Sequence, residues 1–100
     1  MKFILKKPET NIIDLLRKIG YHFQREDRQR GELVFYHFLG PSGYPRLHLY
    51  LEVEENNLIF NLHLDQKKPI YKGASAHAGE YSGKIVKQEA ERIKKALKEL

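Results

Sequence analysis

A chain of 100 residues with a hydrophobic fraction of 41% is large enough for a modest core, and residues 1–100 are interpreted as one domain. The absence of cysteine excludes disulfides, thiolate chemistry and cysteine-ligated zinc. No apolar run approaches the ~18 residues of a membrane-spanning helix, so we expect no membrane partner and a cytoplasmic location.

The formal net charge of +5 is unevenly distributed along the chain. Residues 31–65 carry a net charge of −4, whereas residues 17–30, 66–83 and 84–100 carry +3, +2 and +3. Basic segments on both sides of an acidic one suit a phosphate backbone or another polyanion, although a solvated surface has the same composition.

The first part of the chain predicts a helix followed by two strands. Lys2–Leu5 is a weak candidate for a short edge strand, and Thr10 or Asn11 is a suitable N-cap. Apolar residues then recur on one helical face before Gly20 ends the helix: Ile12, Leu15, Leu16 and Ile19. Alternation predicts strands over residues 21–25 and 33–39, with a charged turn between them.

The strongest pattern is a hairpin over residues 46–65. Leucines and other apolar residues alternate with polar ones in both runs, around a turn at residues 54–57. One register places His48 opposite His63 and Arg46 opposite Asp65, and a two-residue shift places His48 opposite Asp65. Either register puts His48, Tyr50, His63 and Asp65 on the face away from the leucines.

Residues 66–82 are predicted to form a long polar connection, in which residues 70–72 could be a short strand. Ser82 or Gly83 is the predicted start of the last helix. That helix is indicated by apolar residues at helical spacing: Ile85, Val86, Ala90, Ile93, Leu97 and Leu100. The sequence therefore predicts a two-layer α+β fold, with a mostly antiparallel sheet of three to four strands and both helices on the leucine face.

This order resembles the α-β-β-β-α arrangement of double-stranded-RNA-binding domains and of HicA-type toxins. Residues 11–25, NIIDLLRKIGYHFQR, are similar to the HicA opening, in which an amphipathic helix ends in Gly-aromatic and leads into a strand. The HicA resemblance implies a metal-independent ribonuclease with a histidine at the next strand, where this chain has residues 30–33, RGEL. The resemblance to double-stranded-RNA-binding domains implies RNA contacts at the start of the second helix, where Lys84 and Lys87 lie. The stretch HLDQKKPIYKG with HAGEYSG is similar to small uncharacterised bacterial proteins.

Histidines and carboxylates near the hairpin suggest two further kinds of site. His63, Asp65, His48, His77 and Glu80 could bind zinc, manganese or iron, but their spacing matches no known ligand motif. His63 with Asp65 or Glu80 could also form a general base oriented by a carboxylate. Partly buried packing groups give the same pattern, so we predict no metal and no cofactor and assign no catalytic residue.

Lysines and tyrosines around the long connection predict a nucleic-acid footprint. We expect the site where the hairpin end meets this connection, and the candidate binding residues are His63, Asp65, Lys67, Lys68, Tyr71, Lys72, His77, Glu80, Tyr81, Lys84 and Lys87. The prediction is a small binding module for RNA or another polyanion. The alternatives are a HicA-like ribonuclease and a protein-interaction or self-associating module that uses Tyr36, Phe38 and Tyr50.

Overall fold

The computed structural model describes the backbone of residues 1–66 and 75–99, and the side chains of residues 1–66 and 83–98. The elements in chain order are β1 (Lys2–Lys6), α1 (Ile12–Lys18), β2 (His22–Asp27), β3 (Glu32–Phe38), β4 (Arg46–Val53), β5 (Asn57–Asp65) and α2 (Ser75–Glu99).

The strands form one antiparallel sheet in the order β1-β5-β4-β3-β2. The α+β class and the antiparallel pairing agree with the prediction, but the sheet has five strands within the described residues instead of three to four. The additional strand is β1, whose weak five-residue pattern gains its hydrogen bonds from the free edge of β5, where Lys2 lies opposite Asn61.

Local signals explain both ends of α1. The Asn11 side chain accepts a hydrogen bond from the backbone N–H of Asp14 at 3.0 Å, which satisfies a donor at the helix start. At the other end Gly20 has a φ of 100°, a conformation that favours glycine. Tyr21 N–H then donates to the carbonyl of Leu16 and Gly20 N–H to that of Arg17, and this pair of bonds turns the chain into β2.

The hairpin of β4 and β5 has the first of the two predicted registers. His48 pairs with His63, Leu49 with Leu62, and Arg46 with Asp65. The alternation of both strands therefore points the leucines to one face of the sheet and the histidines to the other.

The core lies on the leucine side. Its buried residues come from α1, the end of the α1–β2 turn, the three strands β3, β4 and β5, and α2, and they include Leu16, Tyr21, Phe35, Leu49, Phe60, Leu62 and Ile93. A polar cluster fixes α2 beside this core. Tyr21 donates to Glu89 at 2.6 Å, and Arg92 donates both to Glu89 and to the backbone carbonyl of Ile19.

The helix α2 begins at Ser75, so the predicted start at Ser82 or Gly83 is wrong. Gly79 and Gly83 are poor helix formers and suggested a loop, but each costs the helix only about 1 kcal/mol relative to alanine. The predicted 17-residue connection is correspondingly shorter, and the candidate strand at residues 70–72 lies outside the described residues. Among the described residues, no helix is long and apolar enough to cross a membrane.

Candidate ligand-binding face

The sheet face opposite the leucines carries rings, histidines and charged groups. We call it the aromatic face, and the register defines it by Tyr36, Phe38, Arg46, His48, Tyr50, Asn61, His63 and Asp65. Strand alternation brings these residues together, because every second residue of three neighbouring strands points to this side.

A continuous row of six rings crosses the aromatic face from β2 to β5. The centroid of His22 lies 5.7 Å from that of Phe38, and Phe38 lies 6.4 Å from Tyr36. His48 lies between Tyr36 and Tyr50, at 4.4 Å from each. Tyr50 meets His63 edge to face at 5.9 Å, so the row spans four strands without a gap.

Arg46 is held against two tyrosines. Its guanidinium carbon lies 4.0 Å from the ring centroid of Tyr36 and 4.5 Å from that of Tyr44. Its Nε lies 3.5 Å from a carboxylate oxygen of Asp65. Cation–π contact and charge pairing fix the planar guanidinium against the Tyr36 ring of the row.

His48 and Asp65 form a close pair across the hairpin. Nδ1 of His48 lies 3.1 Å from Oδ2 of Asp65, a diagonal contact that the register allows although His48 pairs with His63. Burial lowers the pKa of His48, and Arg46 and His63 lower it further, while Asp65 acts in the opposite direction. His48 is therefore neutral at pH 7, and we infer that Nδ1 carries the proton that faces Asp65.

This geometry is better suited to a fixed scaffold than to acid–base catalysis. A general base needs an accessible lone pair, but Nε2 of His48 is buried and has no hydrogen-bond partner among the described residues. Asp65 contacts His48 and Arg46, and within the described residues it forms no hydrogen bond or ion pair with His63. No group of three or more histidines and carboxylates within the described residues is arranged to hold a metal ion.

The β4 and β5 end of the ring row and neighbouring polar residues line a shallow open depression of about 470 Å³. Tyr50 and His48 lie on one side, and Asn61 and His63 on the other, while Arg30 and Glu32 reach it from the β2–β3 turn and the start of β3.

Comparison of the chain with protein-family models, curated proteins and solved structures finds no match. The function is therefore inferred from the geometry of the chain itself.

The structure places four of the predicted binding residues. His63 is exposed and Asp65 half-buried on the aromatic face, both at the rim of the depression. Lys84 and Lys87 are exposed on α2, which contributes Val86 and Ile93 to the buried core. The remaining candidates cannot be placed: Lys67, Lys68, Tyr71 and Lys72 lie outside the described residues, as do the side chains of His77, Glu80 and Tyr81, whose backbone belongs to α2.

Several residues of the aromatic face were absent from the predicted binding set. The sequence assigns Tyr36 and Tyr50 only to a protein-contact alternative. Alternation predicts that Tyr50 shares a face with His48, whereas the position of Tyr36 beside His48 depends on how β3 pairs with β4. The Tyr44 contact with Arg46 depends on how the irregular segment before β4 folds, so no periodic pattern indicates it. Arg30 and Glu32 approach the depression through the shape of a turn, which the sequence does not specify.

Proposed function

We propose that this protein is a small RNA-binding module and that the aromatic face is its contact surface. The observation that carries the proposal is the row of six rings across four strands. Aromatic side chains on a sheet surface provide platforms on which unpaired bases stack, at about 1–3 kcal/mol per base.

The packing of the helices supports this choice of surface. We infer that both helices cover the leucine face, because Leu16 of α1 and Ile93 of α2 belong to the same buried cluster as Leu49 and Phe60. In that arrangement the described parts of α1 and α2 leave the aromatic face to a ligand.

Cations at the sheet margins supply candidate phosphate contacts. Register places Lys2 and Lys6 of β1 on the same side as Asn61, and Arg25 of β2 on the same side as Tyr36. These three side chains are exposed, and Arg25 is paired only with Asp27 at 3.6 Å within the described residues. An RNA strand that stacks its bases on the rings can therefore reach positive charge at either margin.

The first prediction compares the aromatic face with the lysines of α2. Tyr36→Leu with Tyr50→Leu keeps apolar cover over the sheet but removes two stacking rings. We expect this double variant to weaken binding to a labelled single-stranded RNA by about tenfold or more. Lys84→Ala with Lys87→Ala, on the other layer, is expected to change affinity by only about twofold, through loss of general positive charge. Fluorescence anisotropy at about 50 mM and about 200 mM salt measures both effects.

Circular dichroism and thermal unfolding serve as the folding control for both double variants. If the lysine variant loses binding while the tyrosine variant keeps it, the contact surface is the helix layer and the proposed face is wrong. If the wild-type protein binds no RNA at either salt concentration, the proposed function is wrong.

Exposed apolar residues favour self-association as the second candidate function. Phe38 is 47% exposed beside His22 in the ring row, and the side chain of Ile4 in β1 is 62% exposed on the same side of the sheet. A second copy could cover these side chains by pairing face to face. Light scattering during size-exclusion chromatography tests this alternative, since a concentration-dependent dimer that disappears in Phe38→Ser would support it.

A further inference from the structure

The depression beside Tyr50 has a different chemistry from the rest of the aromatic face. We infer that it is a subsite for one unpaired nucleobase, an inference that depends on the proposed RNA-binding function. Its volume of about 470 Å³ lies in the range of roughly 300–1,000 Å³ found for small-ligand pockets.

The lining offers the groups that a base edge requires. Tyr50 contributes a partly exposed ring, and Asn61 contributes an amide that can both donate and accept a hydrogen bond. Within the described residues, the Asn61 side chain makes no hydrogen bond and the exposed His63 ring has no polar partner. In the part of the chain that the structure describes, both side chains are therefore available to a ligand, and both lie on β5, where the backbone holds them two residues apart.

The charges around the depression favour a neutral ligand group over a phosphate. Arg30 is offset by Glu32, and the carboxylate of Asp65 is already engaged by Arg46 and His48. A phosphate placed here would meet two carboxylates and a neutral His48 against a single lining cation, Arg30. A base, which is uncharged, planar and edged with donors and acceptors, meets matching groups instead, and the cations that would hold its backbone lie at the sheet margins.

In this arrangement, different residues determine the overall affinity for RNA and the selectivity for one base. The ring row and the marginal cations act on any single strand, whereas Asn61 and His63 contact a base edge and so distinguish one base from another. An asparagine side chain that makes two hydrogen bonds to one base discriminates against the other bases by about 5- to 150-fold. The wild-type protein is therefore expected to prefer one of the four homopolymers of RNA.

Asn61 variants test the subsite. Labelled oligomers of about ten nucleotides, one for each base, are titrated with the wild type, Asn61→Ala and Asn61→Asp. We expect Asn61→Ala to lose about tenfold in affinity for the preferred oligomer and to bind all four similarly. Asn61→Asp keeps the shape but removes the amide donor, so it is expected to change which base is preferred. For Asn61→Ala the dependence of affinity on salt should stay as in the wild type, because this change alters no charge and the phosphate contacts are retained.

Asn56→Ala is the matched control, since Asn56 is exposed at the hairpin tip away from the depression. It should retain wild-type affinity and preference. The subsite is wrong if the wild type binds the four oligomers equally, or if Asn61→Ala keeps the wild-type preference while remaining folded. In either case the RNA-binding function itself stands. If the wild type binds none of the oligomers, that function falls together with the subsite.

Discussion

His48 occupies the middle of the ring row, and its side chain is only 13% exposed between Tyr36 and Tyr50. A neutral histidine here packs as an aromatic ring and still satisfies Asp65 through Nδ1. The same burial that makes it a good packing group makes its protonated form unfavourable, which lowers its pKa.

The lowered pKa of His48 predicts a loss of stability in mild acid. The pKa of His48 in the unfolded chain is about 6.5. Below that pH His48 binds a proton in the unfolded state more readily than in the folded state, where its pKa is lower. The free energy of unfolding therefore falls as the pH decreases through 6.5 towards the lower pKa of the folded state. We expect His48→Phe, which keeps a ring but cannot titrate, to lose less stability than the wild type between about pH 7.5 and about pH 5.5.

Urea unfolding at a series of pH values measures this difference. His22→Phe is the matched control, because His22 is an exposed member of the same ring row. It should lose stability with decreasing pH as the wild type does. A wild-type slope in His48→Phe would show that groups other than His48 determine the acid sensitivity.

At the scale of secondary-structure elements, α2 is attached to the α1–β2 turn by the Glu89 cluster. Burial opposes ionisation of Glu89, but hydrogen bonds from Arg92 and Tyr21 outweigh it and hold the pKa of this carboxyl below its ordinary value. Burial raises the pKa of the Tyr21 hydroxyl, which therefore remains a donor. Because Arg92 also donates to Ile19, one helix residue fixes both the carboxylate and the turn.

Substitutions in the Glu89 cluster should therefore lower the free energy of unfolding, because they remove buried hydrogen bonds. We expect Tyr21→Phe to lower the free energy of unfolding by about 1–2 kcal/mol, since it deletes one hydrogen bond to a charged acceptor. Glu89→Ala should cost more, because it leaves both Tyr21 and Arg92 without their partner. The double variant should cost less than the sum, since both changes remove one shared interaction.

Urea unfolding followed by circular dichroism gives these three values. Glu91→Ala is the control on the same helix, where an exposed pair with Lys94 at 3.3 Å should contribute no more than about 0.5 kcal/mol. Strict additivity of Tyr21→Phe and Glu89→Ala would contradict the proposed coupling.

The sequence predicted elements well where one periodicity dominated. The leucines that alternate in β4 and β5 predicted the face of each side chain, because a one-residue slip would expose them all. They left two registers open, two residues apart, and the structure has the first of these. The start of α2 at Ser75 was missed because the apolar helical pattern begins only at Ile85, and Gly79 and Gly83 before it suggested a loop. Asp65 was placed on the correct face, but its contact with His48 rather than His63 depends on side-chain direction, which alternation does not specify.

At the scale of the whole molecule, β1 differs from the other strands in where its partner lies along the chain. The strands β2 to β5 pair in sequence order, so each pairing closes a short connection. β1 instead pairs with β5, where Phe3 lies opposite Phe60 and their rings stack at 4.8 Å. Closing so long a loop costs entropy before its contacts contribute, and such pairings form slowly.

This topology has a consequence for the order of folding. We expect the four consecutive strands to assemble in the transition state and β1 to attach afterwards. Phe3→Leu should then leave the folding rate nearly unchanged and accelerate unfolding, whereas Leu49→Ala, at the centre of β4, should slow folding. Stopped-flow measurements over a range of urea concentrations separate the two rates. A slower folding rate for Phe3→Leu would place β1 in the nucleus. If β1 does attach last, every refolding molecule passes through a species in which the edge of β5 is free to pair with another chain.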